Sequence, residues 1–191
     1  MIDTSFLTEG LKKVEGHLQT TTRTVDTFTE IYDIIKPSKV FEIGFNAGHS
    51  AYMALTILPE VVYHSVDIGM HSYSAVNADK LREVFGDRFA YQKVNSQKIV
   101  ASSMKGYDVV FVDGDHSVRG ISSDLNLCNS TAVPYILVDD YHPKWFKVVI
   151  ELTEHYLNKD DFPYEMVKVF DYDSKDGNNS VALLKRVKGW I

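Results

Sequence analysis

The sequence predicts an α/β protein, a mostly parallel sheet with helices on both faces, closed by an antiparallel C-terminal hairpin. Two observations carry this. From residue 39 to residue 157, short apolar runs alternate with stretches of helical spacing. That alternation marks βαβ units, and strands covered on both faces read as near-continuous apolar runs. After residue 160 the alternation stops, and two β-patterned runs flank the turn-forming "SKDGNN", which is a hairpin signature.

The parallel strands are expected in "KVFEIG", "VVYHSVDI", "FAYQKV", "YDVVFVD" and "PYILVDD". Helices are expected in "HSAYMALTIL", "SAVNADKLREVF", "SQKIVASSM", "VRGISSDLNLC" and "KWFKVVIELTEHYL". "YEMVKVFDYD" and "SVALLKRV" supply the hairpin, which makes a seven-stranded sheet. Ahead of these, residues 1–36 read as two helices, one on Leu7, Leu11, Val14 and Leu18, the other on Val25, Phe28, Ile31, Tyr32 and Ile35. The Thr-rich "QTTTRT" separates them, and Pro37 and Ser38 end the second. Residues 1–36 are therefore set apart as a lid or dimer region, and residues 37–191 as the main domain.

At 191 residues the chain is one domain able to bury its own core. The single cysteine, Cys128, excludes an internal disulfide framework and any multi-cysteine metal site. A net charge of −6 without a Lys/Arg block argues against a surface that tracks phosphates, so no nucleic acid is expected as partner. No apolar run has the length of a signal core or a membrane span, so a cytoplasmic protein is expected.

Two places along the chain carry chemistry. In "VFEIGFNAGHSA" the first strand turns into a helix through Glu42, Gly44, Gly48 and Ser50. Glycines there let backbone approach a ligand closely. Asn46 stands where the dinucleotide fingerprint has its second glycine, and a phosphate cradle would not want Glu42 beside it. Glu42 points to a ligand that brings positive charge. One strand–helix unit later Asp67 ends the second strand, a place where an acid commonly holds ribose hydroxyls. A nucleoside carrying an amino group suits both acids.

The second place is the end of the fourth and fifth strands, where Asp113, Asp139 and Asp140 gather. Three carboxylates on neighbouring strands repel one another unless a cation compensates, and an all-oxygen set suits Mg²⁺, Ca²⁺ or Mn²⁺. His116 lies beside them as a candidate general base. Asp115 reads as the N-cap of the helix starting near Val118.

In order, "FEIGFNAGHSA", "SVDI", "NSQK", "YDVVFVDGDH" and "ILVDDYH" resemble the class I S-adenosylmethionine-dependent methyltransferases. More narrowly, they resemble the metal-dependent small-molecule O-methyltransferases of the catechol and macrolide-sugar types. The resemblance implies a Rossmann-like fold and an enzyme that methylates a hydroxyl of a diol, catechol or sugar. It places Glu42, Gly44, Gly48 and Ser50 around the methionine part of S-adenosylmethionine and Asp67 on its ribose. Ser96 and Gln97 would flank the adenine, and Asp113 would adjoin the cofactor. It assigns Mg²⁺ to Asp113, Asp139 and Asp140, and the base position to His116. Two alternatives stay open: a metal-independent methyltransferase using His116, and a non-catalytic nucleotide-binding module. The apolar faces of the two N-terminal helices would support a homodimer.

Overall fold

The computed structural model describes residues 2–14, 18–175 and 177–187. Strands β1 (Lys39–Ile43), β2 (Val62–Asp67), β3 (Phe89–Lys93), β4 (Val109–Val112) and β5 (Tyr135–Val138) are parallel. The hairpin adds β6 (Tyr164–Ser174) and β7 (Gly177–Arg186). The sheet order is β3-β2-β1-β4-β5-β7-β6, so the last strand slots antiparallel between β5 and β6. The α/β reading of the sequence holds, hairpin included.

Alternation along β4 shows how the sheet feeds two cores. Val109 and Phe111 join one apolar layer, and Val110 and Val112 the other, as a period of two demands. Helices α1 (Thr22–Ile35), α2 (His49–Ile57), α3 (Ser72–Phe85), α4 (Val118–Thr131) and α5 (Lys147–Leu157) surround the sheet. In α1, Thr21 caps the first turn by accepting from Thr24 N, and Phe28, Ile31, Tyr32 and Ile35 form the buried stripe. Lys36 ends the helix in the left-handed region, just before Pro37.

Among the described residues, two expected helices do not form. The stretch from Leu7 to Leu18 has only a 3-10 turn at Ser5–Leu7, and its residues 15–17 lie outside the described residues. Side chains there bond locally and compete with a helix: Asp3 accepts from Ser5 N, and Thr8 donates to Ser5 O. Leu7 and Leu18 are buried, but Leu11, which the helical spacing required to be buried, is exposed. Leu18 instead bridges to Ser174 as a strand does, and Gln19 N donates to Asp173 O. Residues 1–36 therefore hold one α-helix among the described residues, and it packs on β6 and α2 within the main core.

"SQKIVASSM" forms two 3-10 turns, Ser96–Lys98 and Ala101–Met104. Asn95 caps the first turn and Ser103 bonds back to Val100 O, while β-branched Ile99 and Val100 lie between. Among the described residues no helix is long and apolar enough to cross a membrane.

Candidate active site

Strand order reverses between β1 and β4, because β2 and β3 lie to one side and β5 to the other. Open α/β sheets bind ligands beyond the carboxyl ends of the strands at such a point. A cavity of ≈ 1210 Å³ lies there, and its wall includes Gly44, Gly48, Ser50, Asp67, Ser96 and Gln97. The same wall continues through Asp113, His116, Asp139 and Asp140. That volume exceeds what one drug-sized ligand needs, leaving room for two.

At one end of the cavity, β1 turns into α2. Gly44 has φ +101°, and a Cβ placed on it would sit 1.9 Å from Asp113 O. No other residue fits there, so the turn is pressed against the end of β4. Gly48, at φ +87°, leaves room for the Phe45 ring, which a Cβ would meet at 2.5 Å.

Glu42 does not face the cavity. It is fully buried beneath it and accepts three hydroxyl bonds, from Ser50, from Tyr63 at 3.0 Å and from Ser65 at 2.5 Å. Burial raises its carboxyl to about 7, against the pull of those hydroxyls. Ser50 does line the cavity, and its proton is committed to Glu42. Its lone pairs are what remain to greet a ligand, which suits a donor such as an ammonium group.

Asp67 also serves the turn. Its Oδ2 accepts from Phe45 N at 3.0 Å and Asn46 N at 2.9 Å, and its Oδ1 accepts from Gly69 N at 2.5 Å. The backbone N–H groups that would cradle a phosphate in a dinucleotide site are taken by a carboxylate of the protein itself. Asp67 lines the cavity and keeps spare lone pairs for hydroxyls.

Ser96 and Gln97 stand on the 3-10 turn after β3, as expected for a wall. Asp124, a carboxyl on α4 that is 1% exposed, is raised to about 6 by burial, against the pull of the Ser96 hydroxyl. Asp124 was not among the expected site residues. The sequence carried a signal for it: it interrupts the buried stripe of Ile121, Leu125 and Cys128.

At the other end, β4 and β5 deliver the acids. Asp113, His116 and Asp140 each offer one ligand atom, all within 4.8 Å of one another. His116 Nε2 lies 2.9 Å from Asp140 Oδ2 and 3.9 Å from Asp113 Oδ1. The Phe146 ring packs edge-on against the imidazole at 4.9 Å. Asp139 is not part of this cluster; its Oδ1 accepts from the Tyr172 hydroxyl at 2.8 Å. Asp115 sits one step back from the helix, accepting from Ser117 N and Oγ, while Ser117 itself caps α4 through Gly120 N.

Charge at this end is poorly compensated. Among the described residues, His116 is the only cationic side chain within ion-pair range of Asp113 and Asp140. Burial, then Asp139 and Asp140, push the Asp113 carboxyl well above its usual range. Burial and Asp140 raise Asp139 to about 8. Burial lowers the imidazole of His116, but the close approach of Asp140 and the charges of Asp140, Asp139 and Asp115 outweigh it, so its net shift is upward. Two carboxylates and a buried imidazole nitrogen without a well-aligned hydrogen bond fit a divalent cation by both charge and donor type.

A central reversal point, a glycine turn tied to the strand-end acid and a ligand-sized cavity make an α/β ligand-binding crevice, and its family makes it that of an S-adenosylmethionine-dependent methyltransferase. The family model described as "Methyltransferase domain" matches residues 41–141, more than half of the chain, and the chain belongs to that family. No curated protein matches it. Solved structures share the fold at low identity. An O-methyltransferase from Bacillus cereus, solved in complex with SAH, aligns with TM-score 0.66 at 11% identity, over 88% of this chain and 83% of that one. The methyltransferase domain of bacterial CtHen1 aligns at 0.65 and 11% identity, over 85% and 97%. The mitomycin 7-O-methyltransferase MmcR aligns at 0.59 and 13% identity, over 86% and 53%.

Proposed function

We propose that this methyltransferase transfers the methyl group of S-adenosylmethionine to a hydroxyl of a small molecule, such as a diol, catechol or sugar, with a divalent cation at Asp113, Asp140 and His116. The observation that carries the reading is the clustering of those three ligand atoms on the rim of the cavity that Ser50 and Asp67 also line. S-adenosylmethionine would supply an electrophilic methyl on a sulfonium, and a divalent cation would supply Lewis acidity that makes a nearby hydroxyl more acidic.

The chain's own residues do the rest. Ser50, held by Glu42, accepts from the ammonium of the methionine moiety, and Asp67 accepts from ribose hydroxyls. Ser96 and Gln97 border the adenine. Asp113 and Asp140 fix the acceptor end, so that donor and acceptor meet in line without a search. Trp145, 59% exposed, and Met70, 80% exposed, stand on the cavity wall and offer apolar surface to the body of the acceptor. Two carboxylates suit Mg²⁺, and the imidazole extends the range to Mn²⁺.

A second reading keeps the methyl donor without the cation. The 2.9 Å approach of His116 Nε2 to Asp140 Oδ2 is also that of a His–Asp dyad, in which Nε2–H faces Asp140, Nδ1 takes the acceptor's proton and Asp140 stabilises the imidazolium. One experiment separates the two. Methyl transfer to a panel of vicinal diols, catechols and sugars is followed after EDTA treatment and again after adding Mg²⁺ or Mn²⁺. Loss and recovery support the cation; full activity in EDTA leaves the dyad. Failure to bind S-adenosylhomocysteine in calorimetry would sink both.

A further inference from the structure

The C-terminal hairpin reaches over the end of β5 and touches both acids there. Tyr172 on β6 and Asn179 on β7 are paired directly across the ladder, and both are buried. Asn179 Nδ2 donates to Asp140 Oδ1 and, at 2.9 Å, to the Tyr172 hydroxyl. Tyr172 in turn donates to Asp139 Oδ1 at 2.8 Å. Asn179 Oδ1 accepts from Ser180 N at 2.8 Å, which turns the amide nitrogen towards the acids. The bonds run one way, from amide to phenol to carboxyl oxygen, because the amide nitrogen only donates and so leaves the phenol proton to Asp139.

Backbone geometry explains why such a device is needed. Consecutive residues of a strand point to opposite faces, so an Asp-Asp pair that kept the strand's alternation would send its carboxylates apart. Asp139 continues the alternation of β5. Leu137 belongs to the apolar layer that holds Phe28 and Tyr172, and Asp139, two residues on, meets Tyr172. Asp140 leaves the strand in the left-handed region, at φ +55°, which an aspartate tolerates better than most residues. Its Oδ1 is tied to Asn179 and its Oδ2 lies against His116.

We propose that Asn179 and Tyr172 are positioning residues that give two adjacent acids different work. Asn179 aims Asp140 into the Asp113–His116 cluster, and Tyr172 keeps Asp139 turned from it as a buried hydrogen-bond acceptor. The inference rests on the reading of that cluster as a cation site. It makes Asp140 the ligand delivered by β5 and leaves Asp139 to shape the site from behind. Partners of this kind, one step removed from an ion, typically change its affinity by roughly 10–100-fold.

The test titrates Mn²⁺ into the protein with electron paramagnetic resonance of the free ion as readout. S-adenosylhomocysteine is titrated into the same preparations by calorimetry. Asn179→Ala is expected to weaken Mn²⁺ by roughly tenfold or more, with S-adenosylhomocysteine affinity kept. Tyr172→Phe is expected to weaken Mn²⁺ as well, and Asp139→Asn much less than Asp140→Asn. If Asn179→Ala does not fold, Asn179→Leu keeps the volume and removes the same donor. Unchanged Mn²⁺ affinity in the Asn179 variants, or equal losses in Asp139→Asn and Asp140→Asn, overturns the inference. A wild-type protein that binds S-adenosylhomocysteine but no Mn²⁺ overturns the cation reading and this inference with it, while methyl transfer by the His–Asp dyad survives.

Discussion

The two ends of the cavity treat negative charge in opposite ways. At the β1–β2 end each acid is satisfied by the protein: Glu42 by three hydroxyls, Asp67 by three backbone N–H groups. At the β4–β5 end Asp113, Asp139 and Asp140 have one imidazole, one phenol and one amide between them. The first end is complete and acts by presenting lone pairs. At the second, neighbouring acids add to burial in holding the carboxyls of Asp113 and Asp139 above their usual range, and a cation would relieve that mutual charge. A single crevice thus combines a preformed cradle with a site that calls for a partner, and the two ends should fail separately when disturbed.

The largest effect is expected at the unsatisfied end. Asp113→Asn and Asp140→Asn should lower methyl transfer by about 100-fold or more, while S-adenosylhomocysteine affinity measured by calorimetry stays nearly unchanged. Equal loss of both would erase the division between the ends. Gly44→Ala should break both together, because its Cβ would press on Asp113 O from the β1 turn. A left-handed backbone and that overlap should destabilise the fold by about 3 kcal/mol or more, visible in thermal unfolding.

A smaller effect belongs to Glu42. Its folded pKa of about 7 lies above the ordinary 4.5, so the folded chain holds this proton more tightly than the unfolded chain does. The stability it contributes is complete below about pH 4.5 and is lost as pH rises towards 7. Glu42→Gln should flatten that part of the melting-temperature profile. A cationic ligand group at Ser50 favours the ionised carboxylate, so S-adenosylhomocysteine should bind more tightly as pH rises through 7 in the wild type and less so in the variant. Trp145→Ala should be mildest, raising KM for the acceptor by roughly tenfold or less with kcat nearly kept. A fall in kcat would move Trp145 from the wall to the chemistry.

Much of the first end was legible in the sequence because it is local. Gly44, Gly48 and Ser50 fall within seven residues, and Asp67 ends the next strand. Apolar runs gave the strands for the same reason, as burial on two faces leaves little choice of residue. The second end was legible only in composition. The Asp-Asp pair announced charge, but which acid joins His116 depends on Tyr172 and Asn179, more than thirty residues away. The insertion of β7 between β5 and β6 is likewise a long-range fact that no local period encodes. The Leu7–Leu18 spacing misled because Leu7 and Leu18 are buried at separate points, Leu18 as a strand-like bridge to Ser174, while Leu11 between them is exposed.

That inserted strand also bears on synthesis. Until residues 177–186 have left the ribosome, β5 has an open edge, Asp140 lacks its donor Asn179, and Tyr172 lacks the strand that ties β6 to the sheet. The cradle between β1 and β2, whose partners all lie before residue 70, is under no such delay. A nascent chain cannot aim both acids before that strand is in place, so competence for the reaction arrives last.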